Sequence, residues 1–173
     1  SHSSAKNLHW TQMSDEQMRE IYGNYSRDIT TPYSGNAEDL NRYLKGKGVL
    51  SGQGQAFIDA QNKYGISAAV LAGIAISESG GTSSLARKRF NVTSISSSRG
   101  WRRFNNVSEC IDYTASMLAN RYVKNSGLSG VSLKTLYQIN AKYCPVSDTR
   151  NNSSNNRFWA QNVENKVREI EKA

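Results

Sequence analysis

Residues 68–79 read AAVLAGIAISES, and the glycine pair Gly80-Gly81 follows immediately. Residues 68–76 are all Ala, Val, Leu, Ile or Gly, so this run has no polar face. A helix that is apolar on every side is buried, and glycine after the last turn is typical of a helix end. The sequence therefore predicts a buried central helix, capped by Ser67 and ending before Gly80.

Glu78 is the one ionisable side chain in this run, and it lies in the last turn. The helix dipole disfavours a negative charge at a C-terminus, by roughly 0.3–1 kcal/mol for an exposed group. Burial also disfavours the charged form, so both effects raise the pKa of the carboxyl. A carboxylic acid that keeps its proton near neutral pH is suited to general acid catalysis. The alternative is a carboxylate that caps a loop or pairs with an arginine.

Four separated blocks of sequence carry a resemblance to a known family. They are GQGQAFIDA with KYGI (52–66), AISESGGTSSLA (75–86), WRRF with SE and IDY (101–113), and KYCP with FWAQNV (142–163). In this order they resemble the family 73 glucosaminidases, which include bacterial autolysins, flagellar muramidase domains and some phage lysins. The resemblance covers roughly residues 36–173.

The resemblance implies a peptidoglycan hydrolase, and most specifically an endo-β-N-acetylglucosaminidase that cleaves the glycan strand after GlcNAc. Glu78 would be its general acid. It further implies a monomer that acts outside the cell or in the cell wall, and a phage-encoded origin is compatible with it. The predicted organisation is an N-terminal arm with a short helix (1–35) followed by the catalytic domain (36–173).

A second catalytic group is harder to find. Glycoside hydrolysis usually needs another group to stabilise an oxocarbenium-like transition state, and the family often places an acid in its hairpin. Residues 79–108 contain no Asp or Glu, which favours assistance by the substrate's own N-acetyl group. Glu109 is the nearest acid, although negative charge near a helix start also suits stability. By resemblance, Tyr143 could orient the acetamido group or a water, or it could simply anchor the last loop.

Candidate substrate-binding residues lie around residues 91–104. Trp101 could stack on the apolar face of a sugar or pack within its hairpin. Asn91 aligns with an Asn of the family's cleft segment, whereas Ser94 departs from it, so we expect glycan preference to differ. Arg103 belongs to a basic group that could attract muramyl and stem-peptide carboxylates or form a solvated face; its other members are Arg87, Lys88, Arg89, Arg99 and Arg102.

Composition limits the partners. The formal net charge is +8 and the pI is about 9.6, which suggests either nucleic acid or a Gram-positive wall with teichoic acid phosphates. No nucleic-acid-binding motif is present, so we expect no nucleic acid partner. No run of the sequence is long enough to span a membrane, and no export signal is visible.

Other chemistries are disfavoured. His2 and His9 are the only histidines, and both precede the core, which excludes a Ser-His or Cys-His catalytic pair there. No metal-ligand spacing or cofactor motif is present, so neither metal nor cofactor is predicted. Cys110 and Cys144 could form a disulfide or remain two buried free thiols.

Two alternative functions stay open at this point. One is a lytic transglycosylase or muramidase on a lysozyme-like fold, although the Gly-Leu-Met-Gln type of segment that such enzymes carry is absent. The other is a basic cell-wall-binding or nucleic-acid-binding module without catalytic activity. If the module only binds, Glu78→Gln should change little.

The remaining pattern predicts a mainly α, lysozyme-like domain with one small β-hairpin arm. Apolar periodicity and cap residues place the elements along the chain. The predicted helices are capped at Ser14, Asn36, Ser67, Thr82, Ser108 and Ser132, with one more over about 53–64 and a last one from Phe158. The hairpin is predicted within 91–104, and a polar loop over 149–156.

Overall fold

A computed structural model describes the backbone of residues 5–148 and 153–173, with side chains described except at 153 and 154. In this part the chain is mainly helical with one two-stranded antiparallel hairpin. The helices are α1 (Asp15–Tyr22), α2 (Ala37–Leu44), α3 (Gly54–Tyr64), α4 (Ala68–Ser79), α5 (Ser84–Arg89), α6 (Val107–Leu118), α7 (Leu136–Tyr143) and α8 (Trp159–Lys172). Short 3₁₀ turns cover Trp10–Gln12, Gly48–Leu50 and Ser153–Phe158, and a π turn covers Ala119–Val123.

Helix α4 is the buried centre of the fold, as the sequence predicts. Every residue from Ala68 to Ala75 is buried, and α4 packs against α8, α3 and α6. Gly73 allows the close approach of α8, because a Cβ there would lie 3.1 Å from Val167 Cγ2. The helix ends at Gly80, whose φ of 61° is left-handed and whose N–H donates to the Ile76 carbonyl.

Residues before α2 share this core. Trp10, Tyr22 and Ile29 are buried in the same apolar cluster as the central helix. The Arg27 guanidinium binds the buried Glu164 carboxylate of α8 at 2.8 Å. The boundary at residues 35 and 36 stays a prediction, and the structure shows extensive packing across it.

The hairpin is shorter than predicted. Its strands are β1 (Ser96–Ser97) and β2 (Gly100–Trp101), with Ser96 opposite Trp101 and Ser97 opposite Gly100. Residues 91–95 form a loop instead of a strand, because the buried Asn91 side chain holds them. Its amide nitrogen donates to the carbonyls of Ile95 (2.8 Å) and Arg102 (2.9 Å), and its oxygen accepts from the Ile95 N–H.

Several helix starts differ from the prediction by one to three residues. The predicted caps at Ser14, Asn36 and Ser67 are confirmed. The predicted caps at Thr82, Ser108 and Ser132 are wrong, and the residues that cap instead are Ser83, Asn106 and Thr135. In each case a second cap-forming side chain lies one to three residues away, and the sequence pattern does not rank the two.

The two cysteines are free thiols. Cys110 is buried and Cys144 is half-buried. The Cys110 sulfur lies 3.3 Å from the Thr93 hydroxyl, so it forms part of the polar packing under the hairpin. Of the predicted polar loop, residues 149–152 lie outside the described part, and the rest joins the 3₁₀ turn before α8.

Candidate active site

An open cleft with a volume of about 320 Å³ lies at the C-terminal end of the central helix. Glu78 from α4 lines it together with Ser94 and the hairpin residue Trp101. Tyr143 and Asp148, from the end of α7 and the turn that follows it, also line it. Segments far apart in sequence therefore converge on the end of one buried helix.

The Glu78 carboxyl is held by a hydrogen bond from Trp159. The indole nitrogen of Trp159 donates to Glu78 Oε1 at 3.0 Å, and the Ser94 side chain in the same cleft favours the charged form of the carboxyl. Burial raises the pKa of Glu78, while the side chains of Ser94 and Trp159 partly offset this, and the net pKa is above the usual value. The carboxyl is thus oriented by its neighbours and biased toward its protonated form, as a proton donor requires.

Trp159 was not among the residues predicted for the site. It is the first residue of α8, it is buried, and its ring lies 5.3 Å from that of Tyr143. It lies 81 positions from Glu78 along the chain, so periodicity could not connect the two. A tryptophan within a sequence block that resembles the family was the only available signal.

Tyr143 lies beside Glu78 but has its hydroxyl proton engaged. The hydroxyl donates to the Thr93 carbonyl at 2.9 Å. Burial, followed by the nearby charge of Glu78, raises the pKa of Tyr143 well above its usual value, so the phenol stays neutral. With its proton committed, the phenol oxygen can still accept a hydrogen bond from a substrate N–H or a water.

The hairpin contributes an exposed ring, and the loop before it contributes Ser94 with a strained backbone. Trp101 is 45% exposed, and its carbonyl accepts from the Arg89 guanidinium at 3.3 Å. A ring so exposed beside a cleft is available to stack on a sugar. Ser94 has a φ of 58°, a left-handed conformation that is uncommon for a residue with a side chain. Such strain often occurs at functional sites, and here it occurs at a residue that lines the cleft together with Glu78.

Three predicted site residues do not line the cleft. Asn91 is buried beneath the hairpin and makes the hydrogen bonds described above, so its contribution is to hold the loop that carries Ser94. Glu109 is exposed at the start of α6, where its carboxylate accepts from the Asn105 side chain at 2.9 Å. Arg103 is exposed and donates to the Lys88 carbonyl at 2.9 Å.

The segment between α7 and α8 supplies cleft residues that the sequence interpretation missed. Cys144 and Asp148 follow α7, Asn156 lies in the 3₁₀ turn before α8, and all three line the cleft. Burial, with added repulsion from the charges of Glu78 and Asp148, raises the pKa of the Cys144 thiol to about 12. This thiol is therefore neutral at physiological pH and unsuited to act as a nucleophile.

The described residues, 5–148 and 153–173, contain no group of three or more His, Cys, Asp or Glu placed to hold a metal ion. In the same part of the chain, no helix has the length and apolar character needed to cross a membrane.

Comparison with known families shows to which family the chain belongs. The sequence model of the glucosaminidase family, described as mannosyl-glycoprotein endo-β-N-acetylglucosaminidase, matches residues 54–172. The chain belongs to this glucosaminidase family. The matched stretch contains Glu78, Tyr143 and Trp159, and it covers every described residue that lines the cleft. The family resemblance drawn from the sequence blocks is confirmed.

Staphylococcal autolysins are among the relatives of this glucosaminidase-family chain. It is 37% identical over 100 residues to the bifunctional autolysin of Staphylococcus epidermidis, covering 56% of this chain and 8% of that protein. The bifunctional autolysin of Staphylococcus aureus strain Mu50 is 35% identical over 107 residues, or 60% of this chain and 9% of the relative. The chain thus spans only 8–9% of the length of these curated relatives.

Solved structures show the same lysozyme-like fold. A crystal structure of S. aureus autolysin E, a catalytic mutant in complex with the disaccharide NAG-NAM, aligns with a TM-score of 0.72 at 20% identity. The alignment covers 99% of this chain and 90% of that one. A complex of autolysin E with the muropeptide NAM-L-Ala-D-iGlu aligns with a TM-score of 0.70 at 21% identity. The predicted mainly helical, lysozyme-like fold class is confirmed.

Proposed function

We propose that this glucosaminidase-family chain hydrolyses peptidoglycan as an endo-β-N-acetylglucosaminidase, cutting the glycan strand after GlcNAc. The observation that carries the proposal is the Glu78 carboxyl, held in an open cleft by Trp159 with its pKa raised by burial. A protonated carboxyl at a cleft open enough for a polymer is what endo-cleavage of a glycosidic bond requires.

Glu78 acts as the general acid. Its proton passes to the glycosidic oxygen as the bond to C1 breaks, and the bonding electron pair leaves with that oxygen. Trp159 and Ser94 then stabilise the carboxylate that remains, because hydrogen bonds to a charged acceptor are stronger than those to a neutral one. Their position keeps the carboxyl oriented before and after transfer of the proton.

The N-acetyl group of the substrate assists the departure of the leaving group. Its carbonyl oxygen attacks C1 on the face opposite the broken bond and forms a cyclic oxazolinium ion. Glu78 then removes a proton from a water that opens this ring. This route needs only one acid from the protein, Glu78, which agrees with the absence of Asp and Glu from residues 79–108. Tyr143, whose oxygen can only accept, suits a contact with the acetamido N–H or with the water.

The substrate and location follow from charge and family together. The autolysin relatives and the complexes of autolysin E point to cell-wall glycan as the substrate and to action in the wall or outside the cell. The exposed Arg99, Arg102 and Arg103 lie on the hairpin and the segment after it. They favour attraction to stem-peptide carboxylates and to teichoic acid phosphates. Such attraction weakens as salt is added.

The test is the identity of the new reducing ends. Purified Gram-positive peptidoglycan is digested with wild type, Glu78→Gln and Glu38→Gln, and the borohydride-reduced products are identified by mass spectrometry. Glu78→Gln keeps the shape of the side chain and removes the proton, so turnover should fall roughly 10²–10⁴-fold. Glu38 is exposed on α2, so its variant is the matched control and should cleave like wild type.

Each outcome assigns the activity. Reduced GlcNAc ends from wild type and from Glu38→Gln, but not from Glu78→Gln, support the proposal. Reduced or anhydro-MurNAc ends would instead indicate the muramidase or transglycosylase alternative. Binding to the wall without new ends from any variant would mean that the chain is a binding module.

A further inference from the structure

Asp148 is a carboxylate in the cleft for which the proposed reaction has so far no use. Among the described residues that line the cleft, Glu78 and Asp148 are the two acids. They reach it from different segments, Glu78 at the end of α4 and Asp148 in the turn after α7. The hairpin contains no acid. The second acid in the cleft is Asp148, which comes from a different part of the chain.

The turn that carries Asp148 is anchored to the core. The Asp148 N–H donates to the Pro145 carbonyl at 3.1 Å, and the same carbonyl accepts from the Asn156 side chain at 2.9 Å. The Val146 N–H donates to the Tyr22 hydroxyl of α1 at 3.1 Å. These bonds fix the backbone from Pro145 to Asp148.

Asn140 anchors the start of the same turn. Its side chain is fully buried, and its amide nitrogen donates to the carbonyls of Cys144 (3.0 Å) and Asn156 (2.9 Å). Its oxygen accepts from the Ala160 N–H at 3.0 Å, next to Trp159. One buried amide therefore links the segment of Asp148 to the helix start that holds Glu78.

The charge of Asp148 acts within the cleft. It contributes to the raised pKa of the neighbouring Cys144 thiol, after burial and the charge of Glu78. A cationic intermediate in the same space would experience the opposite effect, because a fixed negative charge stabilises developing positive charge. This interaction strengthens as substrate excludes water from the cleft.

We propose that Asp148 is the second catalytic carboxylate, which accepts the acetamido N–H of the substrate and stabilises the oxazolinium ion. This inference rests on the proposed function. As Glu78 protonates the leaving oxygen and the C1–O bond breaks, the acetamido oxygen bonds to C1 and the acetamido nitrogen becomes positive. The Asp148 carboxylate holds the N–H of that nitrogen without removing its proton. When water attacks C1, Glu78 regains a proton, the ring opens and the acetamido group is restored.

The experiment measures initial rates of new reducing ends on peptidoglycan across pH for wild type, Asp148→Asn and Asp148→Glu. Asp59→Asn, an exposed Asp on α3, is the matched control and should behave as wild type. In Asp148→Asn we expect kcat to fall roughly 10²–10³-fold, as for other losses of transition-state charge stabilisation. KM should change little, because the interaction forms mainly in the transition state.

The pH profile separates catalysis from a purely structural contribution. In wild type the rate should fall in acid as Asp148 is protonated, and Asp148→Asn should lack that acidic limb. Asp148→Glu keeps a carboxylate and should retain the acidic limb of the rate profile. This variant also provides the test if Asp148→Asn folds poorly. The first-formed anomer, observed by NMR for wild type, should retain its configuration.

Three results would overturn the inference. One is an Asp148→Asn rate within about twofold of wild type, and another is an unchanged acidic limb in a folded Asn variant. The third is inversion at C1, which would assign direct attack by water. The first two leave the proposed function standing if wild type still makes GlcNAc ends and Glu78→Gln does not. The third would also exclude assistance by the N-acetyl group, while cleavage after GlcNAc with Glu78 as the acid would stand. If wild type itself makes no new GlcNAc ends, the proposed function is refuted instead.

Discussion

The buried amide of Asn140 gives the most quantitative test of how the cleft is held. Asn140→Ala removes three hydrogen bonds, those to the carbonyls of Cys144 and Asn156 and that from the Ala160 N–H. A buried hydrogen bond contributes about 1 kcal/mol net, and more when its partner is left unsatisfied. Three such bonds give a loss of about 3 kcal/mol in the free energy of unfolding.

Thermal unfolding followed by circular dichroism measures this loss. A domain of this size shifts by roughly 2–4 °C per kcal/mol, so Tm should fall by roughly 6–12 °C. Asn120→Ala is the matched control, because the Asn120 side chain is exposed and donates to the Ser116 hydroxyl at 3.2 Å on the helix surface. That change should stay within about 0.5 kcal/mol. A shift of under about 2 °C in Asn140→Ala would refute the reasoning, since it would mean that water or relaxation satisfies all three partners.

Two further predictions concern charge. Trp159→Phe keeps a ring beside Tyr143 but removes the donor to the Glu78 carboxylate, so the pKa of Glu78 should rise further. Because the acid must be protonated to act, the alkaline limb of the rate profile should move to higher pH, and a limb that stays or moves down would contradict this. Arg27→Met leaves the buried Glu164 with Arg168 as its remaining partner. We expect a loss of roughly 2–4 kcal/mol, somewhat below that of a fully orphaned buried charge. Burial favours the neutral form of Glu164, but its bonds to Arg27 and Arg168 dominate and lower its pKa overall. The stabilisation from these ion pairs is present above the pKa that Glu164 has in the unfolded chain. It is lost as pH falls through the lower pKa that Glu164 has in the folded protein. The Tm difference between wild type and variant should therefore shrink in acid, and a constant difference would argue against the ion pair.

Local sequence patterns predicted correctly those elements whose position is set by neighbouring residues alone. The apolar run of α4 has no polar face and is therefore compatible only with burial, and glycine follows its last turn. Both the burial of α4 and its end at Gly80 were predicted correctly. Cap positions were less determined, because Ser108 and Asn106 can both satisfy a free helix N–H. The strand prediction over residues 91–95 failed because Asn91 replaces backbone pairing with side-chain hydrogen bonds, and that choice depends on residues that pack around it.

The site was predictable only in part for the same reason. Glu78 was apparent because a lone carboxyl contrasts with the apolar helix around it. Trp159 and Asp148 lie 81 and 70 positions further along the chain. Trp159 contacts Glu78 and Asp148 lines the same cleft only because of the packing of α7 and α8. No local pattern carries such a long-range relationship. Conversely, Glu109 was favoured by its nearness in sequence, and the structure places it outside the cleft.

The contact between Tyr22 and the Val146 N–H has a practical consequence for engineering. The family match begins at residue 54, which invites use of that stretch as a portable module in fusions. Excision there would remove Tyr22, and with it the hydrogen bond that supports the turn before Asp148. It would also remove Trp10 and Ile29 from the core and expose their former neighbours to water. A transplantable version of this domain must therefore keep its N-terminal residues, even though they lie outside the stretch that family similarity marks.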